Sequence, residues 1–350
     1  MFEIGQFDHR AFGSFGRTGR FRPWRPRLRR ELAGDESGRS EHSKDTPLGI
    51  REQVRSGLVV AAVLAGSASG AAAQAAGAGG VEVLGVRAQG MAGAFVAVAD
   101  DATAAYWNPA GLGTGDFVSL ALERSHVSLP SVDGVTPVLR TGAILIGTPP
   151  LGAGYYRLGD THVVPVTLVQ SIGDHLNVGG AVKGVWSEGI DGRTHGRLDA
   201  DLGVMVRTDA WRVGLVLRNL AEPTFGPEVI AFGGNRYRLE RHARLGVAVF
   251  PRDGLTLAAD ADLMPLDQPS ASSTQGDGRR RAIAVGVEQR AGSRVVLRGG
   301  VRAQTIDDAR PSASGGASIA ITTLIWADVQ ATGGNDRADR SWTVGLRVRF

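Results

Sequence analysis

Two pairs of aspartates are the residues of this chain whose spacing most readily suggests chemistry. Asp199 and Asp201 lie in an Asp-Ala-Asp-Leu sequence, and Asp260 and Asp262 lie in a second one. Carboxylates two residues apart on a strand share a face, so each pair could supply oxygen ligands to calcium. We favour ion pairing instead, because guanidinium groups satisfy buried carboxylates well. The arginines assigned to the same face are Arg218, Arg244, Arg298 and Arg302.

The sequence offers no support for other catalytic or cofactor chemistry. It has no Cys, which excludes disulfides and thiolate zinc sites. His126, His162 and His195 share no metal-ligand spacing. No Gly-x-Ser-x-Gly elbow of a serine hydrolase is present. We therefore predict that the protein is not an enzyme and that it binds no metal or cofactor.

The charge distribution argues against a nucleic-acid partner. The formal net charge is +4. Residues 1–75 hold 12 Lys and Arg against 8 Asp and Glu, whereas residues 76–350 hold 27 of each kind. The body of the chain therefore has no net attraction to a polyanion.

An export signal precedes that body. Residues 51–75 contain the apolar run Leu58–Ala65 and end in Ala73-Gln74-Ala75, an A-x-A cleavage pattern. The run is too short for a transmembrane helix and is typical of a cleaved secretory signal. Residues 1–50 are rich in Arg, Gly and Ser. We interpret them as the product of a start site assigned too far upstream or, alternatively, as a disordered leader.

From Phe117 onward, apolar and polar residues alternate with the period of β-strands. Arg, Asp and Glu recur in mid-strand on one face, while the other face is continuously aliphatic. This alternation predicts strands at 117–125, 138–148, 151–158, 163–172, 176–187, 197–207, 211–220, 242–250, 255–263, 282–290, 294–303, 314–322, 325–331 and 340–350.

The connections between these strands separate a soluble sandwich from a membrane barrel. Short links such as 149–150 and 208–210 alternate with longer ones such as 221–241 and 264–281. Outer-membrane barrels have an even number of strands, tight periplasmic turns and longer external loops. We therefore predict an all-β fold in which residues 117–350 form a transmembrane antiparallel β-barrel of about fourteen strands in the outer membrane. On this prediction the aspartates and arginines above line the lumen.

The last strand carries an apolar ladder that ends in an aromatic residue. Such an end resembles the C-terminal signal read by the outer-membrane assembly machinery, although an ordinary strand could also end in this way. The ladder consists of Trp342, Val344, Leu346, Val348 and Phe350.

Aromatic residues near strand ends fit the girdles of a barrel at its membrane interfaces. By parity, Trp326 is an exception and faces the lumen. The residues expected in the girdles are Trp186, Trp211, Phe250, Trp342 and Phe350.

The segment "GMAGAFVAVADDATAAYWNPAGL", Gly90 to Leu112, precedes the first strand and is made mostly of small residues. Asp100 or Asp101 can cap a short helix over Ala102–Trp107, and Asn108-Pro109 would end it. Because side chains alone do not fill so wide a barrel, we expect residues 76–116 to form a plug, or hatch, with short helices inside it.

Movement of this plug around Asn108-Pro109 could open a path for an apolar solute, although a fixed plug is an equal alternative. We expect Phe95, Val96, Val98 and Trp107 to offer the solute an apolar surface, and the two aspartates to pair with lumenal arginines. The candidate hatch and gating residues are Gly90, Gly93, Phe95, Asp100, Asp101, Asn108, Pro109 and Gly111.

The Gly90–Leu112 segment closely resembles the hatch signature of the long-chain fatty-acid outer-membrane transporter superfamily. "VLRNLAEPTF" (Val216–Phe225) and "LTLAADADL" (Leu255–Leu263) resemble segments of its shorter PorV/PorQ-type members. The resemblance implies a fourteen-stranded barrel with an N-terminal plug, in which some members pass hydrophobic molecules and others bind secreted proteins. We expect passive uptake or binding of small hydrophobic compounds, or alternatively a non-transporting scaffold or secretion partner. After signal removal about 275 residues remain, fewer than in the large transporters, and we expect the external loops that form a hydrophobic collecting groove in those proteins to be modest here.

Overall fold

Fourteen antiparallel strands form a closed barrel, which confirms the predicted fold. The computed structural model describes residues 83–128, 138–188, 193–225, 237–267, 279–306, 311–334 and 340–350. The predicted leader and signal peptide lie outside the described residues. The strands are β1 (Ser119–Ser128), β2 (Val138–Thr148), β3 (Leu151–Leu158), β4 (Thr161–Ile172), β5 (Leu176–Glu188), β6 (Thr194–Arg207), β7 (Trp211–Arg218), β8 (His242–Arg252), β9 (Leu255–Asp262), β10 (Ala282–Ala291), β11 (Val295–Gln304), β12 (Ser312–Ala320), β13 (Ile325–Gly334) and β14 (Ser341–Arg349).

Each strand pairs with the next one in the chain, and β14 closes the barrel on β1 with Leu346 opposite Leu122. One end of the barrel, here called the turn end, has connections of two to four residues. The other, the loop end, carries the longer connections and also the two-residue β3–β4 connection at 159–160. The longer connections include the two-residue strand pairs Thr224–Phe225 with Tyr237–Arg238 and Leu266–Asp267 with Arg279–Arg280. This alternation agrees with the one predicted from the sequence.

The outward face of the barrel is aliphatic and open. Leu168 and Val182 are each 59% exposed, and Leu198 is 74% exposed. A continuous apolar surface of this kind is stable in lipid and not in water. Among the described residues, no helix is long and apolar enough to cross a bilayer.

The aromatic residues expected in the girdles face outward near the ends of the barrel, with one exception. Trp186 and Trp342 face outward near the loop end, and Trp211 and Phe350 do so near the turn end. Phe250 was assigned to the outward face wrongly. It follows Gly246 and Ala248 on the inward parity of β8 and packs against the buried core, with the Arg212 guanidinium carbon 4.8 Å from its ring centroid.

Trp326 is buried on the lumenal face of β13, as parity predicted. The C-terminal ladder of Trp342, Val344, Leu346, Val348 and Phe350 alternates with inward-facing residues along β14. Arg349 ties this strand to the chain before β1 through an ion pair of 2.6 Å with Asp116. The first and last strands therefore meet where the chain leaves the lumen.

Candidate functional site

Residues 83–115 fill the lumen and are mostly buried against the inward face of the strands. We call them the plug. They contain helix α1 (Val86–Gly90), helix α2 (Ala104–Trp107) and a 3-10 helix at Pro109–Thr114. Small residues allow this segment to fold back on itself, and Gly93 takes a left-handed φ of 86° that larger residues adopt only with strain.

The apolar residues expected to meet a solute lie in the centre of the plug instead. Phe95, Val96 and Trp107 are 0% exposed and Val98 is 1% exposed. The rings of Phe95 and Trp107 pack edge to face with centroids 6.0 Å apart. That expectation was therefore wrong for the arrangement observed, because Phe95, Val98 and Trp107 belong to the buried core and Val96 packs against Gly246 of the wall. Tyr106, which is half-buried, is the plug aromatic nearest the loops.

Helix α2 begins at Ala104, two residues later than expected. The Asp101 carboxylate accepts a 2.9 Å hydrogen bond from the Thr103 amide, and its backbone carbonyl accepts one from Ala104. The aspartate thus holds the turn that leads into the helix, as its short side chain predicts. Asp100 lies outside this turn and faces Arg87 and Arg212.

Asn108 and Pro109 end this helix, as predicted, and Asn108 also fixes the plug to itself and to the wall. It is fully buried, and its Nδ2 donates to the carbonyl of Val96 at 3.0 Å and to that of Val204 on β6 at 3.4 Å. Its Oδ1 accepts a bond from the Ala110 amide at 3.1 Å. A side chain at Gly111 would collide with the carbonyl of Ala99, so this turn requires glycine.

The barrel wall is shaped to the plug by inward-facing glycines. A Cβ at Gly214 would lie 2.6 Å from the Val96 carbonyl oxygen, and one at Gly286 would lie 2.7 Å from Met91. Backbone can approach backbone this closely only where side chains are missing. The glycines that accommodate the plug are Gly147, Gly179, Gly203, Gly214, Gly246, Gly286, Gly300 and Gly345.

Two carboxylates of the wall bind plug amides directly. Glu123 on β1 accepts hydrogen bonds from the amides of Gly85 at 2.7 Å and Val86 at 2.9 Å, at the start of α1. Asp260 on β9 accepts bonds of 2.9 Å from the amides of Phe95 and Val96. Sequence reasoning assigned Asp260 to an arginine partner and missed Glu123, although an acidic residue in mid-strand on the inward face was the available signal.

A closed ring of six alternating charges joins the plug to four strands. We call it the ion ring. It runs Arg87–Asp101 (2.8 Å), Asp101–Arg347 (3.7 Å), Arg347–Asp328 (3.2 Å), Asp328–Arg298 (4.0 Å), Arg298–Glu288 (2.5 Å) and Glu288–Arg87 (2.9 Å).

The charges of the ion ring stabilise one another in a buried site. Burial alone would raise the pKa of Asp101, but the charges of Arg87 and Arg347 and the hydrogen bonds from Thr103 and Arg87 outweigh it and hold that pKa below its usual value. Burial would likewise lower the pKa of Arg87, and Glu288, Asp100 and Asp101 together raise it well above the ordinary value. Both groups therefore stay charged at neutral pH.

The predicted pairing of Asp100 and Asp101 with lumenal arginines is part of this network. Asp101 meets Arg347, and Asp100 lies 3.7 Å from Arg212. Their shortest ion pairs, however, are made within the plug, to Arg87, at 2.6 Å and 2.8 Å. Arg87 was missed because it lies just before the segment that resembled the hatch signature.

Aspartates of both Asp-Ala-Asp sequences form ion pairs, as we favoured from the sequence. Their partners include a lysine and a histidine as well as an expected arginine. Lys183 binds both Asp199 at 2.9 Å and Asp201 at 2.6 Å. Asp262 binds Arg244 at 2.6 Å and His242 at 2.8 Å. Within the described residues, no group of three or more acidic or histidine side chains is arranged to hold a metal ion.

A cavity of about 60 Å³ lies between the plug and the loop end. The Tyr106 ring forms part of its lining, and the Arg218 guanidinium carbon lies 4.7 Å from the centroid of that ring. Apolar and basic groups share the remaining lining, which includes Tyr156, Leu158, Val163, Val185, Leu239, Arg244 and Arg302. Of the arginines predicted to be lumenal, Arg218, Arg244 and Arg302 line this cavity and Arg298 belongs to the ion ring.

Comparison with known proteins gives a clear likeness of fold. The "CymD monoaromatic hydrocarbon channel" is similar with a TM-score of 0.57 and 14% identity, covering 76% of this chain and 97% of that one. The Ralstonia pickettii toluene transporter TbuX has a TM-score of 0.55 and 15% identity, covering 77% and 99%. A Pseudomonas aeruginosa FadL homologue has a TM-score of 0.51 and 14% identity, again covering 77% and 99%.

Sequence comparison is less informative. Residues 175–262 match a family model described as "F plasmid transfer operon, TraF, protein". No curated protein matches the sequence. The likeness to the solved channels, at these identities, is a likeness of fold.

Proposed function

We propose, from the barrel fold shared with hydrocarbon channels, that this protein is a bacterial outer-membrane channel for small hydrophobic compounds. The observation that carries the proposal is the cavity at the loop end, which is lined on one side by the plug residue Tyr106 and on the other by apolar residues of β3–β5. A concave site of mixed aromatic, aliphatic and polar lining is suited to a small organic ligand. We propose that uptake is passive.

The plug gives this channel its selectivity. It fills the turn half of the lumen, so polar solutes meet a packed barrier. An apolar compound that binds in the cavity lies against Tyr106 and Tyr156, whose rings contact each other edge to face at 5.7 Å. Local movement of Pro109–Thr114, which follows the Asn108 anchor, would then open the way inward.

Cellular uptake of a radiolabelled monoaromatic hydrocarbon tests the binding step. Tyr106→Ala should weaken saturable uptake, because the plug's aromatic contribution to the cavity is lost. Tyr155→Ala is the matched control. Tyr155 lies next to the cavity residue Tyr156 on β3, but its ring faces outward and is 40% exposed. Equal uptake by the two variants would contradict the cavity as the binding site.

A reversible crosslink tests how much of the plug moves. A Cβ on Gly90 would lie 3.5 Å from the Cα of Gly316, and one on Gly316 would lie 3.4 Å from the Cα of Gly90. Cysteines at these positions are close enough to crosslink once the wall shifts slightly, since a Cβ on Gly316 would also lie 3.0 Å from the Val329 carbonyl oxygen. The chain has no native cysteine, so Gly90→Cys with Gly316→Cys gives a single defined bond. We expect the oxidised protein to retain saturable uptake, because movement is confined to Pro109–Thr114. Loss of uptake on oxidation, restored by reductant, would mean that the whole plug moves.

The same proposal includes export and assembly. Residues 51–75 direct export, cleavage leaves a mature chain that begins near Ala76, and the ladder ending at Phe350 engages the assembly machinery. N-terminal sequencing of the outer-membrane protein and a mobility shift between boiled and unboiled samples test this. Soluble periplasmic protein with no such shift would refute it.

A second function is favoured by the tight fit of the plug. Buried ion pairs and inward-facing glycines hold it on several sides, which suits a barrel that does not open and instead presents its loops to a secreted protein. If the wild-type protein shows neither saturable uptake nor binding of any hydrophobic compound, the scaffold role replaces transport.

A further inference from the structure

Three arginines interrupt the apolar outer wall of the barrel near its loop end. They are Arg124 on β1, Arg140 on β2 and Arg157 on β3, and we call them the arginine patch. Arg140 and Arg157 are exposed and Arg124 is half-exposed. Their strand neighbours toward the turn end are aliphatic, such as Leu122 and Ile144. Charged side chains on the lipid face are costly at mid-membrane and are tolerated near the interfaces.

The strand register places the patch around a gap in the wall. Arg124 and Arg157 are both opposite Gly142, one from each side, and Arg140 lies two residues closer to the loops on the same strand as that glycine. Since strands are about 4.8 Å apart, the two flanking arginines start about 10 Å apart. A Cβ on Gly142 would have only the Glu123 carbonyl nearby, at 3.6 Å. The three cations therefore surround an open notch.

Neighbouring tryptophans indicate at which level of the membrane the arginine patch lies. Trp342 is opposite His126 on β1, and the two rings stack with centroids 4.2 Å apart. His126 is in turn opposite Arg140. On the other side Trp186 is opposite His162, which is opposite Arg157. Tryptophan rings concentrate at the level of lipid headgroups, so the patch lies at that level on the loop side.

We propose that the arginine patch binds the phosphate of a lipid headgroup in the leaflet at the loop end. Guanidinium groups bind phosphate through paired, charge-assisted hydrogen bonds, and basic pockets on membrane proteins are suited to anionic headgroups. Along the described parts of β14 and β1–β4, the outward-facing positions include no carboxylate. Among the described residues, Asp160 in the β3–β4 turn is an acid near the patch, and its 3.4 Å pair with Arg157 is half-exposed and weak enough to exchange for a lipid phosphate.

The proposal rests on the membrane location proposed above and not on transport. Native mass spectrometry of the purified barrel in detergent, mixed with lipid A that carries or lacks its phosphates, measures it without any transported solute. Changing Arg124, Arg140 and Arg157 together to Gln should weaken retention of the phosphorylated lipid by roughly tenfold, as three charge-assisted contacts are lost. Retention of the dephosphorylated lipid should not change.

The matched control is the triple change of Arg252, Arg290 and Arg294 to Gln, which removes the same charge from exposed positions at the turn end. It should retain the phosphorylated lipid as the wild type does, and both variants should still show the boiled-to-unboiled mobility shift of a folded barrel. Equal retention by the two triple variants would overturn the proposal. Displacement of the lipid by an equal concentration of inorganic phosphate would also overturn it, because the site would then bind the free ion rather than a headgroup.

Discussion

A tight contact between plug and wall can be tested at a single glycine. Gly179 faces inward on β5, where an added Cβ would collide with the Pro109–Ala110 peptide. Backbone atoms cannot rotate away as a side-chain end can, so Gly179→Ala must push the 3-10 helix off the wall. Overpacking of this kind costs about 1–3 kcal/mol, and replacing a strand glycine with alanine recovers about 0.5–1 kcal/mol of it.

The expected net loss for Gly179→Ala is therefore about 1–2 kcal/mol. Such a loss lowers the unfolding midpoint by roughly 2–4 °C per kcal/mol in a domain of this size. The assay is the temperature at which the folded, fast-migrating band of an unboiled sample converts to the unfolded band. Entry of a small polar dye into cells, measured in parallel, should rise because the displaced helix leaves the lumen less well sealed.

Gly180, the next residue, supplies the matched control. It faces outward, and a Cβ there would come no closer than 3.6 Å to Leu202, so Gly180→Ala should leave both the midpoint and dye entry unchanged or slightly raise the midpoint. Both variants add one methyl group at adjacent positions of the same strand. They differ in whether that group points into the lumen or outward. If they behave alike, the fit between plug and glycine wall does not contribute to stability or sealing.

Three further changes address the charges and the chain end. Arg87→Gln leaves buried carboxylates without their cation and should cost about 3–5 kcal/mol, seen as a lower unfolding midpoint, whereas Arg252→Gln at an exposed turn should not lower it. Because the pKa of Asp101 is held below its usual value, its contribution is complete above about pH 4 and is lost as pH falls through the folded-state pKa; the midpoint should fall more steeply with acid in wild type than in Asp101→Asn. Phe350→Asp should slow membrane insertion, and unchanged outer-membrane levels on fractionation would count against its role in assembly.

Much of the barrel could be predicted because its forces act locally along the chain. Alternation in a strand such as β9 needs only neighbouring residues, and the lipid requires an unbroken aliphatic face. Strand ends were harder to predict at the loop side. β6 begins at Thr194 rather than at 197, and β1 ends at Ser128 rather than at 125, because the strands continue as polar ladders beyond the lipid, where no apolar alternation is required.

The sequence predicted which kinds of contact hold the plug, but not which residues make them. An acidic pair facing lumenal arginines was expected from composition, but Glu288 and Arg87 are separated by 201 residues, and nothing in the local sequence shows which residues become neighbours. The Phe250 error has the opposite cause. Its position at a strand end suggested a girdle, while simple parity with Gly246 and Ala248 placed it inside.

The two sides of the plug are held by different kinds of contact, and this difference indicates where it can move. Toward β10–β14 the ion ring and the carboxylate of Glu123 hold the plug, and separating buried ion pairs costs several kcal/mol for each charge left alone. Toward β4–β6 the 3-10 helix Pro109–Thr114 rests on glycines. The bond that Asn108 makes to these strands is the 3.4 Å one to the Val204 carbonyl, and a bond of this kind contributes only about 1 kcal/mol. Most strand residues that line the cavity at the loop end belong to β3–β7, and His242 and Arg244 on β8 and Arg302 on β11 complete it, so the cavity lies mainly on this less strongly held side. A solute that binds there contacts Tyr106, three residues before that 3-10 helix, and the ion ring can stay intact while the helix moves.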